Sequence, residues 1–410
     1  MKNLLASILI LLVVGCKKEK RVIEEIDFET EYMFNSEIED KILSDTLTDP
    51  RFQGFKYQMG ASEYASKGDY QNALSTWDLA MGTRDTSYTI SEIDSINEKY
   101  KKVNAVNLIV KQSKEYKVLI INEAHHNSSH RVFTKSLLKK LYKNGYSNIG
   151  FEDLDNSSNK DTLLNKRKYP LQKSGFYMTD PQFGDLVRSA LEIGFNVFSY
   201  EQTSDVNGTE REIEQARNIQ KVIEERPNEK FIIHCGYAHA LEGNYESWGK
   251  AMAGRLTEFT GIDPLTIYQV LYTEKSKPEF NHPLLKALKL TEATVLLDKE
   301  GNPMEYVRGE SWSDIAILHP NTVFENGRPN WLIKNGNKMI KLNMNNIKMD
   351  YPLMVLAYKK GEDIKTAIPM DILEIENKTE FINLALRQGE YEIVVRNSNG
   401  RAQKFQLNAE

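Results

Sequence analysis

Cysteine is nearly absent. Cys16 and Cys235 are the only two in 410 residues, so no disulfide framework holds the chain and its stability must come from packed cores. Positive charge is not in excess either: 53 lysines and arginines stand against 58 aspartates and glutamates, a net charge of −5. With no basic stripe, the expectation is no nucleic-acid partner. Apolar runs long enough to cross a bilayer, ~20 residues, are also missing. The main one, Leu4 to Val14, is short, follows Met1-Lys2-Asn3 and leads into Gly15-Cys16. A positive start, a short apolar core and a small residue before the cut form the pattern of an export signal over residues 1–16.

Behind that signal, residues 17–50 are charged and read as a tether followed by a short helix. Over 51–99 the spacing turns helical. Tyr57, Tyr64 and Ala65 precede Lys67-Gly68-Asp69, and Ala73, Leu74, Trp77 and Ala80 follow it. Gly68 ends one helix and Asp69 starts the next, a hairpin that caps the main domain. The segment Ser91 to Lys111 reads as one further amphipathic helix. Over 100–325 strands alternate with helices. Buried strands are expected at 116–121, 149–151, 196–200, 230–234 and 265–271, with helices at 131–143, 183–193, 210–225 and 248–259. That alternation predicts an α/β domain with a parallel-rich sheet flanked by helices. From 326 to 410 the texture changes to short strands, the first of them Trp331 to Ile333, separated by Asn335-Gly336, Lys360-Gly361 and Asn399-Gly400. This predicts a small all-β, sandwich-like module. It holds no histidine and no cysteine, and no chemistry is assigned to it.

The seven histidines are unevenly placed. Three lie in Glu123-Ala124-His125-His126-Asn127-Ser128-Ser129-His130, and two in His234-Cys235-Gly236-Tyr237-Ala238-His239. Both groups directly follow a predicted buried strand, as does Glu152-Asp153. In a parallel sheet the loops after the strands meet at one edge, where ligands bind. Glu123, His125 or His126, His130, Glu152 and His239 are therefore expected to converge on one cleft. A carboxylate beside an imidazole fixes its tautomer and raises its basicity, so the pair can take a proton from water. A second histidine can donate to a developing oxyanion. The same residue types, with His125, His130, Glu152 and His239 as the candidate set, could instead hold a divalent metal whose bound water attacks. Taken singly, His130 could cap its helix and His234 could be a hydrogen-bonded core residue. Residues 155–183 and 200–210 are the expected pocket walls, with Tyr169, Phe176, Tyr177, Met178 and Phe183 either lining an apolar cleft or simply packing.

Two resemblances extend this reading. Val13-Val14-Gly15-Cys16 resembles the lipobox of bacterial lipoproteins, which implies cleavage before Cys16 and acylation there. A membrane partner through the lipid anchor, in a bacterial cell envelope and at its outer membrane, follows from it. Asn122-Glu123-Ala124-His125-His126, the helix-opening His130, Phe151-Glu152 and Gly236-Tyr237-Ala238-His239 resemble the ordered motifs of the erythromycin-esterase-like proteins and their ChaN-like and TraB/TIKI-like relatives. The likeness spans residues 100 to 320. Asn122 stands where those proteins carry glycine, and the double histidine leaves the register open between His125 and His126. The esterase-like branch implies a hydrolase in which histidine activates water. The TIKI-like branch implies a metal-dependent peptidase, and the ChaN-like branch a haem- or iron-binding lipoprotein. The expectation is a hydrolase of ester or amide bonds in a small-molecule or peptide substrate. The alternatives are a haem or iron binder, or an interaction protein with a relic site.

Overall fold

The computed structural model describes residues 22–45 and 54–410; the expected signal segment and Cys16 lie outside them. Six parallel strands form the central sheet, in the order Ile315–Ala316, Leu265–Tyr268, Val118–Glu123, Lys230–Gly236, Tyr146–Phe151 and Asn196–Ser199. Alternate residues of a strand face opposite sides, and here both sides are buried. Leu119, Ile121, Ile149, Phe151 and Ile267 pack beneath Leu137, Leu141, Leu186 and Ala190 of the helices Ser129–Lys143 and Pro181–Ile193. Val118, Ile120, Phe231, Ile233 and Cys235 pack against Ala216, Ile219, Met252 and Leu256 of the helices Thr209–Glu225 and Met252–Thr260. At about 1.5–3 kcal/mol for each large apolar side chain buried, these two layers are what holds the strand ends in place. The three central strands are in register at those ends: Glu123 pairs with Gly236, and Phe151 with His234.

The C-terminal module is an antiparallel sandwich. Leu353–Lys359, Asp371–Ile375, Gly389–Asn397 and Ala402–Ala409 form one sheet. Lys338–Asn343 and Phe381–Leu386 form the facing pair. Val355, Ile393, Val395 and Phe405 meet Leu342 and Leu384 between them. Part of the expected tether belongs to this module. Glu24–Ile26 adds an edge strand to Ala402–Ala409, and Phe28, Tyr32 and Phe34 cover the outer face over Leu356 and Tyr358. Few apolar residues in 17–50 made it read as a linker, yet three aromatics suffice when a sheet face waits for them. Ion pairs dock the module on the Pro181–Ile193 helix: buried Arg188 holds Glu362, and the partly exposed Arg387 holds Asp185 at 2.6 Å.

The hairpin of Phe55–Ser66 and Tyr70–Met81 bridges the two parts. Asp69 caps its second helix through the Asn72 N–H. Gly68, at φ +81°, lets the turn touch the module, since a Cβ there would lie 2.6 Å from the Ile372 carbonyl oxygen. Two further expectations are corrected. Ser91 to Lys111 is not one helix but Ile90–Lys99, the strand Lys101–Asn104 and Ala105–Gln112, because Lys101–Asn104 pairs with Thr294–Leu297. Trp331 to Ile333 is a 3₁₀ turn rather than a strand, packed through Trp331 on Tyr70.

Candidate functional site

Two charged arrays face each other across Gly236. The first starts at Glu123, the last residue of its strand and fully buried. Arg131 forks onto its carboxylate, with Nε to Oε2 at 2.8 Å and Nη2 to Oε1 at 2.6 Å. The third guanidinium nitrogen donates to Asp180 at 2.5 Å. Asp180 also takes the Ser128 hydroxyl and caps its own helix through the Gln182 N–H. Burial alone would raise the Glu123 carboxyl, but Arg131 and His234 outweigh it and hold the group well below the usual carboxylate range. It is therefore an anion at neutral pH. His125 places Nδ1 3.1 Å from Glu123 Oε1, and its ring stacks on Tyr177 at 3.8 Å and meets the Tyr237 ring edge-on at 5.0 Å.

The second array starts at Glu152, directly after its strand. Oε2 accepts the Gly236 N–H at 2.5 Å, while Oε1 takes Arg211 at 2.7 Å and lies 3.2 Å from His239 Nε2. Arg211 also holds Glu201. His239 Nδ1 sits 2.8 Å from Glu212, and its ring stacks on Trp248. Burial pushes the His239 imidazole down, but Glu152 and Glu212 on either side push it up further, above its ordinary value. Gly236 separates the arrays and keeps them close. A Cβ there would lie 2.5 Å from His125 Cε1, 2.7 Å from its Nε2 and 3.4 Å from Glu152 Oε2.

The geometry thus brings Glu123, His125, Glu152 and His239 together, and leaves two of the expected residues out. His126 is buried beneath Trp77 of the hairpin, the rings stacked at 4.0 Å. Consecutive residues in this turn point opposite ways, and only His125 looks into the cleft. His130 is spent on structure. Its Nδ1 accepts the Ala124 N–H at 3.0 Å and its Nε2 meets the Thr273 hydroxyl at 3.2 Å. The candidate metal set of His125, His130, Glu152 and His239 is therefore not assembled. Among the described residues no three His, Cys, Asp or Glu side chains are arranged to hold a metal ion. His234 is also core, its Nε2 3.5 Å from Glu123, and burial lowers it to about 4. Of the expected apolar wall, Tyr177 lies on His125 and Phe176 is exposed at the rim, whereas Met178 and Phe183 belong to the main core and Tyr169 packs near the sandwich.

Arg131, Asp180, Arg211 and Glu212 were not among the expected site residues. A signal existed. Cations disfavour the first turn of a helix, yet Arg131 and Arg211 sit there and need acids to hold them. Asn122, at the position where glycine is expected from the resemblance, ties the cleft together. Its side chain donates to the Tyr237 carbonyl at 2.6 Å and accepts the Gln269 N–H at 2.8 Å.

Asp153, beneath this floor, has its Oδ1 on the Tyr177 N–H at 2.9 Å and a buried Oδ2 with no partner. Burial pushes the carboxyl up to about 8. Between pH 4 and 8 the folded chain then keeps a proton that the unfolded chain has released. Stability should fall with rising pH across that window, by at most about 1.4 kcal/mol per unit from this group. Asp153→Asn removes that slope. The variant should gain on the parent as pH rises toward 8, with the difference shrinking near pH 4, when unfolding is followed in urea across the series.

Comparison with known proteins finds no matching family model and no matching curated protein. Among solved structures the chain is similar to the type III effector HopBA1 at 12% identity, over 46% of this chain and 95% of that one, with a TM-score of 0.31. It is also similar to RRSP, a MARTX toxin effector domain from Vibrio vulnificus CMCP6, at 15% identity over 56% of this chain and 51% of that one, with a TM-score of 0.28. A structure described as bacterial protein toxins matches at 18% identity over 52% and 44%, with a TM-score of 0.30. The chain spans about half the length of these last two.

Proposed function

We propose that the protein is a hydrolase of ester or amide bonds that activates water with His125, without a metal. The observation that carries this reading is the aim of the His125 ring. Its Nδ1 is turned to a carboxylate held anionic by Arg131, so Nδ1 carries the proton and Nε2, beside Gly236 and facing Glu152, is left as the base. Opposite it, His239 and Arg211 supply positive charge where a carbonyl oxygen would turn into an oxyanion. Both carboxylates already have guanidinium partners, which leaves little reason for a cation to bind. Turnover is expected to survive EDTA. The test is a panel of nitrophenyl esters and chromogenic peptides offered to the purified full chain, with and without chelator. Chelator-resistant cleavage of any member supports the reading; complete inactivity, or activity restored only by added metal, overturns it.

Gly236→Ala drives a methyl group into His125. Displacement of a reacting group by about 1 Å can cost ~100-fold in rate, so kcat should fall by about that factor. A circular-dichroism melt checks that the fold survives. A glycine requirement set by chain flexibility alone would leave kcat near that of the parent.

We also propose that the mature chain begins at a lipidated Cys16 in a bacterial envelope. Glu24–Ile26 already belongs to the sandwich, so residues 17–23 alone would tie the body to the membrane, a reach of at most about 25 Å. Intact-mass measurement on protein extracted from membranes should show the acyl addition, and Cys16→Ser should abolish both it and membrane retention.

A further inference from the structure

We infer that the cleft beside Glu152 takes a neutral saccharide, and that the bond cleaved is an ester on a sugar hydroxyl; this rests on the hydrolase reading above. Small-molecule pockets are usually lined by apolar side chains with a few polar anchors, whereas most of the residues lining this one are acids and amides. Its volume is about 480 Å³, and Asp155, Asn156, Gln172 and Gln202 surround Glu152 with acids and amides; Glu152 is the residue it shares with the reaction centre, since His125, His239 and Arg211 do not line it. Acyl chains, macrocycles and apolar peptides would find little there to bury against. Planar amides and carboxylates present paired donors and acceptors at the spacing of adjacent hydroxyl groups, which a polyol matches on every carbon. Charge argues the same way. Arg211 pairs with both Glu201 and Glu152, and Lys173 and Asp155 also line the hollow, so one acid stays in excess and disfavours an anionic saccharide there.

Of the two large apolar residues on this wall, Leu154 is buried and Phe176 is about half exposed. Phe176, with Gln172 and Gly175, also lines a second cavity of about 540 Å³. An exposed ring between two hollows is what the C–H face of a pyranose stacks on, and two hollows accommodate more than one sugar unit. The chemistry balances without a co-reactant. Water adds its oxygen to the acyl carbon as His125 Nε2 takes its proton. The acyl–oxygen bond then breaks, and the proton passes to the leaving sugar oxygen, giving a carboxylic acid and a free hydroxyl.

Acetylated xylo- and chito-oligosaccharides serve as probes for hydrolysis, with 4-nitrophenyl acetate in parallel. Their deacetylated forms serve for calorimetric titration of the His125→Ala protein. The expected results are release of acetate from at least one oligosaccharide, binding of its deacetylated form, and about a tenfold weaker affinity in Phe176→Ala, the upper end for one aromatic contact. Gln202→Ala is a second variant on the same wall, should the first fail to fold. Hydrolysis of nitrophenyl acetate with no saccharide bound would overturn the sugar assignment while the hydrolase stands. Saccharide binding without any ester cleavage would support the polyol cleft and sink the hydrolase instead.

Discussion

Arg131→Met is expected to destabilise the protein by about 3–5 kcal/mol, the usual cost of stripping one partner from a buried ion pair. Arg131 is almost completely buried, and a single guanidinium serves two carboxylates, Glu123 and Asp180. Methionine fills much of the volume, so the loss is one of charge rather than of packing. The effect should depend on pH with a definite sign. The folded Glu123 carboxyl is held below its unfolded value, so the stabilisation it draws from Arg131 is present above about pH 4.5 and fades as pH falls through the lower folded value. Parent and variant melting curves should therefore lie farthest apart near neutral pH and converge in acid. Arg131→Lys keeps the charge without the fork and should recover only part of the loss. Equal destabilisation at pH 3 and pH 7 would mean that the guanidinium acts as filler.

His125→Ala should lower turnover by about 10²–10⁴-fold, the range for removal of a general base, with little change in melting temperature, since the ring is partly exposed and rests on Tyr177. His126→Phe is the informative control. It keeps the stack on Trp77, and the one ring nitrogen it removes that is known to be buried, Nδ1, has no partner. Its kcat should stay within about threefold of the parent, since no contact to the reacting groups changes. A loss at position 126 with none at 125 would reverse the assignment of the pair.

The sequence carried the strand ends well. Long apolar stretches such as Val118–Ile121 and Phe231–Ile233 are strands buried on both faces, and each hands its polar residues to the same sheet edge. What it could not carry was orientation. His125 and His126 are one chemistry at adjacent positions, and the choice between them is made by Trp77, some fifty residues earlier, and Tyr177, some fifty later. His130 looked reactive because its hydrogen bonds go to a backbone N–H and to Thr273, a partner visible only once the chain is folded. The ionic partners of the arrays were hidden for the same reason. Glu201 and Arg211 are ten residues apart, but Arg131 and Asp180 are separated by 49. The strand at Glu24–Ile26 was missed because its mate is the far end of the chain.

The central claim is that the two charged arrays enclose a single reaction centre over Gly236. A crystal structure with a phosphonate monoester, a mimic of the tetrahedral intermediate, tests it most directly. One phosphonyl oxygen should lie within hydrogen-bond distance, about 2.6–3.2 Å, of His125 Nε2 and another near His239 and Arg211. A phosphonate seated anywhere else, or none retained at millimolar concentration, would contradict the account.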